Sequence, residues 1–156
     1  MQQQQLEQIV SKAKDMCANS GARLTEKRQQ ILELLLVSNI PLSAYEIADN
    51  YNKTTNSSIT AMSVYRMLEF LESEQLAHKL QSTNKYVACS HIACDHNHEV
   101  PQFLICSDCQ QVKEIAIPKA IISDLQTQVN EAGYNLTNSQ LELQCVCDQC
   151  LSSSKN

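Results

Sequence analysis

Two Cys-x-x-Cys pairs constrain the fold of this chain more than any other feature of its sequence. The pairs are Cys106–Cys109 and Cys147–Cys150. Two residues between paired cysteines let a tight turn aim both sulfurs at one point, and four thiolates complete the tetrahedral coordination of zinc. The spacing therefore predicts a closed structural zinc site that joins the start and the end of one domain.

A disulfide framework and a redox-active pair are the alternatives for these cysteines. Disulfide frameworks are typical of small secreted domains. The first six residues contain no charged segment followed by an apolar one, so no signal peptide is expected. No apolar run approaches the length of a membrane span. A redox pair usually opens a helix, whereas both pairs here follow predicted strands. We therefore favour zinc, in a cytoplasmic protein without membrane contact.

Charge and cysteine content both change near residue 85. Residues 1–85 carry nine Lys/Arg and nine Asp/Glu, whereas residues 86–156 carry three and eight. Seven of the eight cysteines lie in the second part. The change predicts two domains, residues 1–86 and residues 87–156. The acidic chain argues mildly against nucleic-acid binding, but the neutral first part weakens that objection.

The first domain is predicted to contain helices followed by a hairpin. Apolar residues recur at helical spacing in four segments. Ser43 and Glu46 form a capping box that starts the third helix, which is expected to run to about Tyr51. Thr60 or Ser63 caps the fourth helix. Two short strands, residues 76–80 and 86–89, follow around a turn, so the order is that of a winged helix-turn-helix.

The fourth helix is a candidate for DNA recognition. It presents Ser63, Tyr65 and Arg66 away from its apolar face. An arginine can bind guanine through two hydrogen bonds, and hydroxyl groups can contact phosphate. The structural alternative is that Tyr65 packs against a neighbouring helix and Arg66 is solvated. A winged helix that binds protein instead of DNA also remains open at this point.

The second domain is predicted to mix strands with a helix, which makes the whole chain α+β. Residues 102–105 and 112–117 are strand candidates on either side of the first cysteine pair. Pro118 begins a helix, and Gly133 ends it. A last strand leads to the second pair. The apolar face of the helix is expected to be buried and consists of Ala120, Ile121, Leu125 and Val129.

A second, looser group of metal-binding residue types lies between the two predicted domains. All four histidines of the chain fall within 21 residues. The group consists of His78, Cys89, His91, Cys94, His96, His98 and Glu114. Imidazole, thiolate and carboxylate ligands together suit zinc, and such a mixed site is more pH-dependent than four thiolates. Taken singly, each residue has an ordinary structural explanation, so the clustering carries the prediction.

Several motifs, in fixed order over roughly residues 10–150, resemble the ferric uptake regulator superfamily. The segments Arg23–Leu32, Ser43–Ile47 and Ser63–Leu71 resemble the DNA-binding half of that superfamily. Further segments resemble its zinc uptake regulator branch in particular. They are His78-Lys, Ser82-Thr-Asn, Tyr86–Cys89, Phe103–Cys109 and Val112–Glu114. A thiolate at Cys89 favours that branch over relatives whose sensing site contains only histidines and carboxylates.

The resemblance implies a zinc-responsive repressor of zinc uptake genes, with neither an enzymatic activity nor a small-molecule substrate. Such a protein is a zinc-loaded homodimer that binds a palindromic double-stranded DNA operator. It has an N-terminal winged helix-turn-helix domain and a small C-terminal α/β dimerisation domain. The predicted DNA contacts are Arg28, Tyr45, Ser63, Tyr65 and Arg66, since all lie within the three matching DNA-binding segments.

Two zinc ions per monomer follow from the same resemblance. The structural ion falls on the four paired cysteines. The regulatory ion falls on His78, Cys89, Glu114 and a histidine of the loop after Cys89. That loop is about one residue longer than the pattern of the family, so we select His98, with His96 as the alternative. Cys94 and Cys145 are additional to the pattern.

Other functions remain as alternatives at the level of sequence. One is a related regulator that responds to iron, manganese or nickel, and another is a zinc-thiol redox sensor. A zinc deaminase does not fit. Its signature requires His-x-Glu followed by Pro-Cys-x-x-Cys, whereas Glu99 directly follows His98 and Pro101 is well separated from Cys106.

Overall fold

The computed structural model describes residues 2–92 and 100–153, and the chain divides into two compact units between residues 96 and 97. The first unit contains α1 (Gln3–Asn19), α2 (Glu26–Val37), α3 (Ala44–Thr55), α4 (Ala61–Ser73), β1 (Ala77–Leu80) and β2 (Lys85–Ala88). The second contains β3 (Gln102–Cys106), β4 (Val112–Ile115), α5 (Lys119–Glu131), β5 (Glu142–Cys145) and α6 (Asp148–Ser153). This is the predicted α+β order, with helices and a hairpin before the small sheet.

Three helices of the first unit begin at hydroxyl side chains. Thr25 caps α2, and Thr60 caps α4 by accepting a hydrogen bond from the backbone N–H of Ser63. Thr60, and not Ser63, is therefore the cap of α4. The capping box of α3 is complete, because Ser43 and Glu46 each accept a hydrogen bond from the backbone N–H of the other.

The third helix is longer than the sequence predicts. It continues past Tyr51 to Thr55 and ends at Asn56, which adopts the left-handed conformation with φ 53°. The hydroxyl groups of Thr54 and Thr55 donate to carbonyls of the preceding turn, so these polar residues extend the helix instead of forming a loop.

The core of the first unit is continuous across all its elements. Ile31, Leu32, Ile47, Leu68 and Leu71 are completely buried where α2, α3 and α4 meet. The hairpin belongs to the same core. Its strand β2 pairs with the segment before α3 through reciprocal backbone hydrogen bonds between residues 42 and 86. Burial of these apolar faces stabilises the unit and holds the hairpin in place.

The second unit is a three-stranded sheet in the order β4-β3-β5, with β4 antiparallel and β5 parallel to the central strand. Phe103 and Ile105 of the central strand are buried. Gln102 is buried too, and its side chain donates to the carbonyl of Ser139 and accepts from the backbone N–H of Leu141. The loop before β5 is thereby attached to the central strand.

Two expectations for the second unit are wrong. Helix α5 has no buried residue, and Ile121 of its apolar face is 53% exposed, so one copy of the chain does not cover that face. Helix α6 was not expected, because the polar segment after Cys147 offers no apolar periodicity. The second cysteine pair therefore follows a strand and also opens a helix. Among the residues described, none of the helices has the length and apolar character needed to span a lipid bilayer.

Candidate metal centres and nucleic-acid interface

The parallel pairing of β3 and β5 brings the two cysteine pairs together. Cys106 ends β3 directly opposite Cys145, so Cys147 lies just beyond the end of the neighbouring strand. The backbone N–H of Cys147 donates to the sulfur of Cys106 over 3.3 Å. The first pair closes a tight turn in which Gln110 adopts a positive φ of 65°. Sheet topology and turn geometry thus assemble a site from two cysteine pairs, of which Cys109 and Cys147 are 38 positions apart.

The four sulfurs have the spacing of a tetrahedral zinc site. The Sγ atoms of Cys106, Cys109, Cys147 and Cys150 all lie within 4.8 Å of one another. The Cys109 and Cys147 sulfurs are 3.8 Å apart. Zinc–sulfur bonds of about 2.3 Å in a tetrahedron require sulfur–sulfur edges of about 3.8 Å. The donor set and its dimensions therefore fit zinc, with no coordination position left for a substrate.

Without metal, the crowded thiols differ in acidity. Backbone N–H groups of Cys109 and then Cys147 hydrogen-bond the Cys106 sulfur and lower its pKa to about 6. A hydrogen bond to the Cys147 side chain, followed by burial, raises the pKa of Cys150 to about 12. For Cys109 the Gln111 backbone lowers the pKa, but burial and the Cys106 side chain outweigh it and leave the pKa raised. Zinc must therefore displace protons from at least two of these thiols.

None of the seven described cysteines forms a disulfide. Cys145 lies beside the zinc site but outside it, and its thiol donates to the Leu143 carbonyl over 3.6 Å. Cys17 is completely buried in the core of the first unit, where burial, followed by the charge of Glu74, raises the pKa of its thiol. A thiol in that environment is inert.

The hairpin of the first unit carries two of the predicted regulatory ligands. His78 lies on β1 opposite Val87, and Cys89 follows β2 with its backbone N–H bonded to the Leu76 carbonyl. Positions 78 and 89 are thus diagonal neighbours on one face of the hairpin. A ring nitrogen of His78 and the Cys89 sulfur lie within 4.8 Å of each other. We call these two residues the hairpin pair.

The hairpin pair is sheltered from solvent. Cys89 is 2% exposed, and the backbone N–H of His91 donates to its sulfur over 3.4 Å. Glu114 belongs to the second unit, where it is half-buried on β4 opposite Phe103. His98, its alternative His96 and Cys94 lie outside the described residues.

The predicted DNA contacts on α4 differ in their environments. Arg66 is exposed, as a residue that contacts DNA must be. Ser63 is half-buried beside the N-cap, and its Oγ accepts a hydrogen bond from the Thr60 hydroxyl. Tyr65 is half-buried against the apolar core, so the packing considered as an alternative is present for this residue.

The two remaining predicted contacts lie on neighbouring helices. Tyr45, in the first turn of α3, is 69% exposed. Arg28 is engaged within the chain: its guanidinium lies 3.7 Å from the centre of the Phe70 ring and donates to the Arg23 carbonyl. These contacts orient Arg28 at the first turn of α2 and reduce its freedom to move.

A groove of about 510 Å³ separates the start of α2 from α4. Its lining consists of Thr25, Glu26, Lys27, Arg28, Ser63, Arg66 and Met67. Three basic side chains against one acidic side chain give the groove a positive charge in a chain of net charge -5. Sequence reasoning did not select Lys27, although its position directly before Arg28 in the first turn of α2 was a usable signal.

The similarity to known proteins extends over almost the whole chain. The sequence is 28% identical over 151 residues to the zinc uptake regulation protein of Escherichia coli (strain K12), which covers 97% of this chain and 86% of that protein. It is 29% identical over 150 residues to the ferric uptake regulation protein of Helicobacter pylori, covering 95% of each.

Solved structures with the same fold include a zinc uptake regulator in complex with zinc and DNA. That structure has a TM-score of 0.83 and 26% identity, and covers 97% of this chain and 98% of its own. Holo XcZur has a TM-score of 0.75 and 31% identity, with 92% and 96% covered. The model of the ferric uptake regulator family matches residues 19–144. The chain therefore belongs to the ferric uptake regulator family.

Proposed function

We propose that this chain is a zinc-responsive transcriptional repressor that binds a palindromic DNA operator as a zinc-loaded homodimer and represses zinc uptake genes. The observation that carries the proposal is the hairpin pair, because it puts two zinc ligands on the wing of a helix-turn-helix unit. The solved structure of a zinc uptake regulator with zinc and DNA supports it. So does the similarity to the zinc uptake regulation protein of Escherichia coli.

Each monomer binds two zinc ions under this proposal. The four paired cysteines hold the structural ion. The regulatory ion binds the hairpin pair together with Glu114 and His98, with His96 as the alternative to His98. A thiolate among these ligands favours zinc over harder cations. The mixed ligand set suits reversible binding better than four thiolates do, because imidazole and carboxylate ligands bind zinc more weakly than the thiolates that they replace.

The regulatory ion connects the two proposed domains. Residues 1–86 bind DNA, and residues 87–156 bind metal and dimerise. His78 belongs to the first domain and Glu114 to the second, so an ion bound by both fixes the orientation of one domain to the other. In a dimer this orientation sets the spacing of the two recognition helices against the half-sites. Zinc favours the DNA-binding arrangement only as far as it binds that arrangement more tightly.

The DNA contacts come from one face of the first unit. Arg66 is exposed on the recognition helix and can bind guanine through two hydrogen bonds. The neighbouring positively charged groove binds backbone phosphate, with Arg28 held in place by Phe70. Ser63, Tyr65 and Tyr45 complete the set.

The second unit supplies the homodimer interface. Among its described residues, the exposed large apolar side chains are Val100, Ile121, Tyr134, Leu143, Val146 and Leu151. A second copy of the chain covers such surface in an isologous contact and supplies the burial that α5 lacks in one copy. The dimer acts in the cytoplasm, where operator DNA is accessible.

The proposal is tested by zinc-dependent DNA binding. The zinc-loaded protein is used to select duplexes from a randomised library, and a mobility shift with the selected duplex is then measured in buffered zinc. We expect binding to rise with free zinc and the double variant His78→Ala, Cys89→Ser to lose that dependence. Cys145→Ser, a cysteine outside both donor sets, is the matched control and retains it. Unchanged zinc dependence in the double variant would exclude the hairpin pair as a sensing site.

Metal specificity separates the proposal from its alternatives. Zinc should support DNA binding at lower free concentration than iron, manganese or nickel. Mild chelation should reduce the zinc content from two ions per monomer to one and abolish DNA binding at the same step. DNA binding that follows peroxide and not free zinc would instead favour the redox sensor.

A further inference from the structure

The proposed recognition helix, α4, carries a large apolar side chain that is not buried in the core of the first unit. Met62 is 64% exposed in the first turn of α4. The buried face of this helix is formed by Val64, Leu68 and Leu71. At 3.6 residues per turn, Met62 points opposite that face. The exposed stripe of α4 consists of Met62, Arg66, Glu69 and Ser73.

Met62 and Arg66 are four residues apart and therefore neighbours on successive turns of one helix face. Residues at the N-terminal end of a recognition helix are those that contact base edges in the major groove. Thr60 caps α4, so Met62 is within the first turn after the cap. If Arg66 enters the groove, Met62 enters it as well.

The chemistry of methionine restricts what it can recognise there. Its side chain is apolar and adaptable, with only a weak acceptor at sulfur. The major-groove edges of adenine, guanine and cytosine present hydrogen-bond donors and acceptors, whereas thymine also presents its 5-methyl group. A thymine methyl is thus the one apolar surface that a base offers to Met62.

We propose that Met62 determines part of the sequence specificity by packing against the 5-methyl group of a thymine in each half-site. This inference rests on the proposed function and adds a base preference to it. Arg66 supplies a polar contact to a purine, and Met62 supplies an apolar contact to a thymine near that purine. Two neighbouring side chains, one charged and one apolar, would then determine the base preference of α4.

The test removes the methyl group from the DNA without changing its hydrogen bonds. Zinc-loaded protein first selects duplexes from a randomised library. Each thymine of the selected duplex is then replaced, one at a time, by deoxyuridine, and affinities are measured by fluorescence anisotropy. A buried methyl contributes about 0.8 kcal/mol, so a single deoxyuridine should weaken binding of the unaltered protein about fourfold, and one in each half-site should weaken it about fifteenfold.

The variant Met62→Ala should bind the thymine duplex about fifteenfold more weakly, because both subunits lose the contact, and show no further loss with deoxyuridine at that position. Met62→Leu, which keeps an apolar side chain, should retain sensitivity to the methyl group. Val37→Ala is the matched control, because Val37 is 53% exposed but lies at the end of α2. Circular dichroism checks that each variant is folded.

Two failures are distinguishable. Deoxyuridine that has no effect at any position, or an equal effect in Met62→Ala, overturns the role of Met62 while leaving the DNA-binding proposal intact. Selection that enriches no sequence at all overturns the proposed function and the role of Met62 together.

Discussion

The first unit buries apolar side chains from four helices and a hairpin, whereas the second buries very few side chains of its own. Among the described residues of the second unit, those buried are Gln102, Phe103, Ile105 and Cys106. Its helix α5 has none. The four cysteine sulfurs nevertheless converge at one end of its sheet. The first unit is therefore stabilised mainly by its core, and we expect the second to depend on the zinc and the partner surface that we propose for it.

This difference separates the roles of the two donor sets. A closed site of four thiolates in a unit with a small core contributes folding free energy, so we expect loss of its zinc to unfold the unit. The hairpin pair lies on a structure that the first core already holds, so that structure persists without metal. A site that can be emptied without unfolding is one that can report zinc concentration.

The largest expected effect is the loss of a structural ligand. Cys147→Ser removes one of four thiolates from a site whose zinc contributes on the order of 10 kcal/mol in comparable small domains. We expect the second unit to unfold while the first keeps its structure. Amide chemical-shift dispersion by NMR, followed separately for the two units, measures this. Cys145→Ser is the control and should leave both units folded. Loss of both units together would contradict independent stabilisation.

The next prediction removes a buried side chain from the core of the first unit. Leu68 is completely buried, and Leu→Ala at such positions typically costs about 2–5 kcal/mol. Leu68→Ala should lower the denaturation midpoint of the first unit, and the zinc content of the second should not change. Val37→Ala, at a position 53% exposed, is the control and should change the midpoint little. Zinc loss in Leu68→Ala would show that the second unit depends on the first core.

Parts of this contrast were predictable from sequence because they depend on short-range chemistry. The capping box of Ser43 and Glu46 is local, so the sequence identifies it directly. The cysteine pairs could be predicted because a turn of two residues aims both sulfurs at one point. The winged-helix order followed from apolar periodicity in successive segments.

Other parts depended on information that local sequence patterns do not contain. The apolar stripe on α5 predicts burial, but burial requires a surface to pack against, and one copy provides none. Helix α6 is a short polar segment after Cys147, and nothing in its periodicity indicates a helix. The contact of Arg28 with Phe70 joins different helices, so only the packed core brings it about.

Acidification should weaken zinc binding by the second unit, with a smaller effect than the loss of a structural ligand. Cys106, with a pKa of about 6 without metal, is already ionised at neutral pH, whereas Cys109 and Cys150 have raised pKa values and are protonated. Zinc binding displaces at least two protons, so affinity should fall at least about a hundredfold per unit of pH lowered. The slope should steepen below pH 6, where Cys106 also becomes protonated. Competition with a chelator of known pH dependence measures the slope, and a slope below two protons would contradict this assignment.

The smallest expected effect concerns one helix cap in the first unit. Ser43→Ala removes the acceptor for the Glu46 backbone N–H and should cost about 1 kcal/mol. Ser58→Ala, at an exposed serine outside the helices, should cost less.

The Ser43 backbone N–H also lowers the pKa of Glu46. The Glu46 carboxylate therefore contributes stability above its ordinary pKa of 4.5, and this contribution is lost as pH falls through the lower folded value. Urea denaturation at pH 7 and pH 3 measures both effects. Because the cap belongs to the core-stabilised unit, zinc retention at pH 7 should be the same in Ser43→Ala as in the unaltered chain, and reduced retention would show that the two units are coupled.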